Sequence, residues 1–283
     1  MKNPNSHYVE LLIHEMQLRN YSSRTIRSYS ELMSKVEIFY SLPLSQISSQ
    51  HFKDYLLRRI TAEEISTSMI NQYISAFKIV QVDVLKHDWE QIRIKRPRRV
   101  KRLPVVLSLE EVEKLIAVTR NIKHKALLML AYSSGLRRQE IQMIKSSAID
   151  SARMQVHVVQ GKGKKDRYTI LSPKTLETLR LYYKHDRPSC YLFEAQGKKG
   201  KPLSDTTLNC IIKKMAVKAG IKKQVSFHTL RHCFATHLLE KGVNLKLIQQ
   251  FMGHVSIKTT SGYLHLVNVN PSSVISPLES MNV

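Results

Sequence analysis

Tyr263 lies in the run Thr259-Thr260-Ser261-Gly262-Tyr263-Leu264-His265, nine residues after the histidine of Met252-Gly253-His254. A phenol is a weak nucleophile until a base or a nearby cation activates it, so its company decides what it can do. Three earlier segments supply that company. In His228-Thr229-Leu230-Arg231-His232, residues 228, 231 and 232 share one helical face by i, i+3 and i+4 spacing. A histidine beside an arginine suits an oxyanion-stabilising site for a phosphodiester. Gly135-Leu136-Arg137-Arg138-Gln139-Glu140 presents Arg137 at a turn, with Glu140 placed to orient its guanidinium or to cap the next helix. Gly161-Lys162-Gly163 puts Lys162 at a hairpin tip, where two glycines permit a tight turn and close approach to a ligand.

Taken singly, each segment has a plainer explanation: an exposed Arg137–Glu140 pair, a solvated Lys162, a Tyr263 packed in a core. A metal site built from His228, His232 and His237 is set aside, because no nearby carboxylate completes a hydrolytic centre and Arg231 repels a cation. The hairpin lacks the spacing of a Walker loop, and no Ser-His-Asp triad lies near Tyr263.

The elements that must position these residues fall into two regions. Residues 6–95 contain no glycine and carry apolar residues at helical spacing, first around Tyr8, Leu11, Leu12 and Met16. Ser22-Ser23 opens a second helix, Ser48-Ser49 a third, and Ser66 to Val84 supports a fourth. Pro97 and Pro104 bracket a basic stretch that reads as an extended linker. Beyond it, Ser108 and Glu111 have capping-box form, and an apolar helix over 124–134 stops at Gly135. Residues 154–160 and 167–171 read as the two strands of a hairpin. After Pro173 the pattern is helical almost to Leu266, with loops expected at 187–203, 220–227 and 242–244.

Charge points to a kind of partner, against the plainer reading of a merely soluble basic protein. The chain carries +23, and the excess is uneven: residues 1–95 hold 12 basic against 10 acidic side chains, residues 103–283 hold 28 against 12. Arg96, Arg98, Arg99, Lys101 and Arg102 make the linker basic without one acid. Such self-repulsion points to a polyanion, and nucleic acid fits best because phosphates release counterions to Lys and Arg. The charge is not confined to one amphipathic helix, which argues against a membrane surface. Cys190, Cys210 and Cys233 are widely spaced, so neither a disulfide framework nor a thiolate zinc site is expected. No apolar run reaches membrane-spanning length and the N-terminus lacks a signal peptide's apolar core, giving a cytoplasmic expectation.

The boxes, in this order, resemble the catalytic domain of the tyrosine recombinase (phage integrase) family, of the Xer/integrase-like kind. The resemblance places the family's arginines on Arg137 and Arg231, its hairpin lysine on Lys162, its histidines on His228 and His254, and its nucleophile on Tyr263, with Glu140 in support. Lys164 and Lys165 beside Lys162 are expected to contact DNA, as are the linker cations. The implied fold is mainly α with a small antiparallel β-sheet. It comprises an N-terminal helical core-binding (SAM-like) domain over 1–95, a basic linker over 96–107 and an α+β catalytic domain over 108–270. A tail over 271–283, with Val274, Ile275, Pro277 and Leu278 as apolar anchors, would dock on a neighbouring protomer. The implied reaction is site-specific breakage and rejoining of double-stranded DNA through a 3′-phosphotyrosyl link. It needs no ATP, metal or other cofactor, and is carried out by a homo-tetramer on two DNA sites or with a partner recombinase. His228 is the base expected for Tyr263, and Lys162 the acid for the leaving 5′-oxygen. Two other readings use the same fold: strand relaxation like that of a type IB topoisomerase, and a non-catalytic DNA-binding regulator.

Overall fold

Serine and asparagine side chains open most of the helices. The computed structural model describes residues 6–89, 94–97, 104–159 and 166–267, and its chain divides into two units, Met1–Lys101 and Arg102–Val283. In the first unit Ser6, Ser22, Ser48 and Ser66 each accept a hydrogen bond from a first-turn amide. They open α1 (His7–Leu18), α2 (Ser23–Tyr40), α3 (Ser49–Glu63) and α4 (Thr67–Ile79). Each such cap contributes about 1 kcal/mol. Apolar faces at helical spacing meet in one core, where Leu12, Met16, Met33, Val36, Phe52 and Phe77 are fully buried. The Phe52 and Phe77 rings stack with centroids 3.9 Å apart.

Two helix ends in this unit reflect its lack of glycine. α2 and α3 stop on Ser41 (φ 54°) and Glu64 (φ 48°), both in the left-handed region that glycine normally serves. The fourth helix, expected to run to Val84, is α-helical only to Ile79 and continues as a wider π turn over Val80–Val84. There, buried Gln81 meets His87 Nδ1 through Oε1 at 2.8 Å.

The second unit begins with α5 (Leu109–Ala117), where Ser108 Oγ accepts from Glu111 N and Glu111 Oε2 accepts from Ser108 N, as the capping box predicts. Helix α6 (Ile122–Ser133) crosses the core through Leu127, Leu128 and Leu130, and the short α7 (Arg138–Met143) follows. A three-stranded antiparallel sheet has the order β1 (Ile149–Asp150), β2 (Gln155–Val158), β3 (Arg167–Ile170). Its register pairs Val156 with Thr169 and Val158 with Arg167, so these four share the inward face. His157 and Tyr168 pair on the outer face, with ring centroids 4.6 Å apart.

Helix α8 (Pro173–Asp186) has proline in its first turn. Residues 187–203, expected as a loop, hold a hairpin of β4 (Glu194–Ala195) and β5 (Lys198–Pro202). The segment before it is gathered by Glu194, whose Oε1 accepts from the amides of Ser189, Cys190 and Tyr191. Helices α9 (Asp205–Lys218), α10 (Phe227–Glu240), α11 (Leu245–Met252) and α12 (Ile257–Ser261) complete the unit. The chain is therefore mainly α with small antiparallel sheets, as its sequence suggests.

Candidate active site

The site is assembled around the carboxyl end of α11. Every helix leaves its last carbonyls without intrahelical donors, and buried ones need partners. Here Gly253, at φ +59°, lets the chain turn so that its amide bonds Gln250 O and the His254 amide bonds Gln249 O. The next three carbonyls are each taken by a different arginine. Arg167 Nε donates to Phe251 O at 2.8 Å, Arg231 Nη2 donates to Met252 O, and Arg137 Nη2 donates to Gly253 O at 3.1 Å. Cations also suit the negative end of a helix dipole.

Each arginine arrives from its own element. Helix α6 ends at Gly135, also at φ +59°, and a Cβ there would lie 2.3 Å from Phe234 Cδ1. That sharp exit buries Leu136 and sets Arg137 at the start of α7. Arg231 projects from α10 and is 3% exposed; its Nη1 donates to Gly135 O at 2.5 Å, so its fork ties the end of α6 to the end of α11. Arg167 comes from the inward face of β3.

Glu140 is the counter-charge. Its carboxylate accepts from Arg137 N and Nη1 at 2.7 and 2.6 Å, and from Arg167 Nη1 and Nη2 at 2.7 Å each. Arg231 Nη1 stands 3.8 Å from it. Burial alone would raise this carboxyl's pKa, but hydrogen bonds and charge from Arg167 and Arg137 prevail and hold it down at about 2. One carboxylate facing three guanidiniums leaves the cluster cationic and suited to an anion. A cleft of about 640 Å³ opens beside Arg137 and Glu140, walled by Leu136, Met143, His157 and Val158.

The histidines and the phenol complete the cluster. His254 Nδ1 lies 2.9 Å from Thr260 Oγ1, and its Nε2 is 3.3 Å from Arg231 Nη2. Burial, with the charges of Arg231, Arg137 and Arg167, lowers its pKa to about 4, so it is neutral at physiological pH. Tyr263 is 7% exposed and packs with Phe234, Ala235, Ile248 and Met252. Burial raises the phenol's pKa, while the charges of Arg231 and Arg137 act in the opposite sense. The Tyr263 hydroxyl lies 2.9 Å from Nδ1 of His232. Burial, His228 and Arg231 lower the pKa of His232 to about 4.

The structure thus brings together Arg137, Glu140, Arg231, His254 and Tyr263. His228, the expected base, is not the histidine on the phenol: its ring stacks on His232 at a centroid distance of 6.3 Å, and His232 stands at the hydroxyl. Both lie on the face that the sequence spacing defines, but only the packing of the Tyr263 segment selects between them. Arg167 was not singled out by sequence; its one signal is the period-two pattern that puts it inward beside Thr169. Arg96, assigned to the linker, turns its guanidinium back onto α4 and donates to Asn71 O, Asn71 Oδ1 and Ser75 Oγ at 3.0–3.1 Å. Lys162, Lys164, Lys165, Arg98, Arg99, Lys101 and Arg102 lie outside the described residues, as does the tail over 271–283. Among the described residues no group of three His, Cys, Asp or Glu side chains could hold a metal ion.

Comparison with known proteins identifies the family and the fold. The profile of the phage integrase family matches residues 105–268, and that of the phage integrase N-terminal SAM-like domain matches residues 9–91. The tyrosine recombinase XerA of Pyrococcus horikoshii is 33% identical over 262 residues, spanning 92% of this chain and 89% of that protein. The crystal structure of a XerA recombinase superposes with a TM-score of 0.54 at 27% identity, covering 95% of this chain and 96% of the other. The XerH site-specific recombinase, in a post-cleavage complex with a palindromic difH substrate, shares the fold with a TM-score of 0.70 at 21% identity. That match covers 96% of this chain and 85% of XerH.

Proposed function

Because the chain belongs to the phage integrase family of tyrosine recombinases, we propose that Tyr263 is the residue through which it breaks and rejoins DNA. The protein is a site-specific recombinase, and its partner is a double-stranded DNA recombination site. The observation that carries the assignment of Tyr263 is its hydroxyl held by a neutral histidine, with the charges of buried Arg231 and half-buried Arg137 acting on the phenol.

In this mechanism Tyr263 Oη attacks the scissile phosphorus, forming a 3′-phosphotyrosyl bond as the phosphorus–5′-oxygen bond breaks. The ester retains the energy of the phosphodiester, so no nucleotide triphosphate is consumed. Arg137 and Arg231 hold the non-bridging oxygens with planar forks that lysine cannot reproduce. His254, its Nε2 beside Arg231, contributes a further hydrogen bond to the phosphate. The phenol's proton passes to His232 Nδ1, with His228 stacked behind it on the same helix face. At a pKa of about 4 His232 is a poor base in the free protein. Burial is the main cause of that depression, with His228 and Arg231 adding to it, and the single negative charge of a docked diester would offset the Arg231 part. Lys162 protonates the departing 5′-oxygen. Attack by a 5′-hydroxyl from a partner strand then reverses each step and releases Tyr263.

Strand exchange requires two duplexes, so the proposed assembly is a homo-tetramer on two sites, or one that includes a partner recombinase. Residues 96–107 would act as a linker between the DNA-binding half over 1–95 and the catalytic half over 108–270. Its Arg98, Arg99, Lys101 and Arg102, together with Lys164 and Lys165, would follow the phosphate backbone. Arg96 would join them only by leaving Asn71. No helix among the described residues is long and apolar enough to cross a membrane, and the proposed setting is the cytoplasm, where the DNA is.

A nicked substrate that traps the covalent intermediate tests the assignment. After proteolysis the attached nucleotide should map to Tyr263, and Tyr263→Phe should form no adduct while still binding the site. An adduct on any other residue would refute it.

A further inference from the structure

We propose that Arg167 is a positioning residue for the strand-breaking reaction, fixing the separation and aim of the two phosphate-binding guanidiniums without touching DNA itself. The inference rests on the site assignment above and extends it to a residue outside the catalytic set.

Three observations carry it. First, all three nitrogens of the Arg167 guanidinium are engaged by the protein: Nη1 and Nη2 grip the two oxygens of Glu140 at 2.7 Å each, and Nε holds Phe251 O at 2.8 Å. An end-on bidentate pair of this kind is directional as well as charged. Second, the groups it holds are those that set the other two arginines. Glu140 also binds Arg137, and the Phe251 carbonyl precedes the Met252 and Gly253 carbonyls that receive Arg231 and Arg137. Third, the fit is tight on the α11 side. A Cβ on Gly253 would lie 2.7 Å from Arg167 Cδ and 3.1 Å from its Nε, so the turn leading into His254 is moulded on this side chain.

The consequence is electrostatic and geometric together. With Arg167 present, Glu140 is shared, and Arg137 keeps one arm on Gly253 O rather than closing fully onto the carboxylate. Without Arg167, the carboxylate keeps Arg137 at hydrogen-bond distance with Arg231 3.8 Å away, and its stronger hold on Arg137 competes directly with the phosphate for that guanidinium. The Phe251 carbonyl also loses its donor, loosening the turn that aims His254 and Arg231. β3 in addition begins five residues after Lys162 in sequence, so the same side chain ties the start of that strand to the arginine cluster.

The test compares Arg167→Lys, which keeps the charge but not the fork, with Arg167→Met, which keeps much of the apolar stem under Gly253. The rate of covalent-complex formation is measured on a nicked substrate at saturating DNA, alongside duplex affinity and thermal midpoint. Both variants should cleave on the order of 100-fold more slowly, with affinity within about threefold of the parent chain. Adding Glu140→Gln to Arg167→Met should cost less than about threefold more, because the two residues act as one unit. The inference is overturned if Arg167→Lys cleaves within threefold of the parent. It is overturned equally if the double variant is multiplicative, as for a residue contacting DNA independently, or if the lost rate returns when the folded fraction is restored by cooling. The parent chain separates the two levels of failure. No adduct on Tyr263 in the parent removes the site assignment itself, whereas a normal parent adduct with an unimpaired Arg167→Lys removes only the positioning role.

Discussion

Replacing Arg231 by lysine keeps the positive charge and removes the fork, which makes it a discriminating perturbation of this site. The guanidinium serves two carbonyls on opposite sides, Gly135 O and Met252 O, and stands 3.3 Å from His254 Nε2. Burial and the charge of Arg137 lower its pKa to about 9, which still leaves it charged at neutral pH. A lysine ammonium is a point donor on a flexible stem and cannot span both carbonyls while facing a phosphate. Leaving one buried carbonyl unpaired costs about 1–3 kcal/mol of folding stability. Losing a fixed donor to the transition-state phosphate costs about 3–4 kcal/mol, or roughly 10²–10³ in rate. Affinity should fall far less, because it draws on phosphate contacts spread over a chain of +23. Single-turnover cleavage at saturating DNA, with urea unfolding in parallel, reads both quantities. Cleavage by Arg231→Lys within tenfold of the parent would show that charge alone suffices and that the fork geometry is irrelevant.

Acid should begin to destabilise the fold above the pH at which ordinary carboxylates titrate. His232 and His254 have native pKa values of about 4, below the ordinary 6.5, so the unfolded chain binds more protons between these limits. Their contribution is complete above pH 6.5 and is lost as pH falls towards 4. Urea unfolding across that range should show the slope, and its persistence unchanged in a His232→Asn, His254→Asn double variant would contradict the assignment. Glu64→Gly should stabilise the protein by about 0.5–1 kcal/mol, because residue 64 ends α3 at φ 48° and is exposed; a lower urea midpoint would refute this. Removing residues 271–283 should leave binding to a single site intact and weaken pairing of two sites in a gel-shift assay. Unchanged pairing would discard the docking role of the tail.

How far the sequence could be read depended on the range of the interactions involved. Ser22, Ser48, Ser66 and Ser108 were legible as helix starts because a cap bonds an amide within the next turn. Arg137, Arg231, His254 and Tyr263 are proposed from the sequence because their short boxes, in this order, resemble those of the recombinase family, and the structure places them near one another. The β4–β5 hairpin was not, since Glu-Ala-Gln-Gly-Lys-Lys-Gly-Lys-Pro has no β-branched or aromatic residue to mark strands. The choice of His232 over His228 was equally hidden. Both fit the helical spacing, and the decision belongs to residues that pack from 31 positions away. Arg167 stood among lysines at the end of a basic turn, where one more cation looks like surface. Only the sheet register reveals that it points inward.

The three arginines at the end of α11 also constrain how a chain of this kind can decay. A descendant that abandons strand breakage by exchanging Tyr263 for phenylalanine gives up one hydrogen bond and almost no packing. A descendant that discards Arg231 strands a pair of peptide oxygens in the interior and undoes the join between two helices. On the mechanism proposed above, mutational drift would be channelled: silenced copies that survive as folded DNA-binding proteins would have dropped Tyr263 and kept the guanidiniums. In such sequences intact arginines would be a record of architecture, and on the same mechanism the phenol would be what marks a working enzyme.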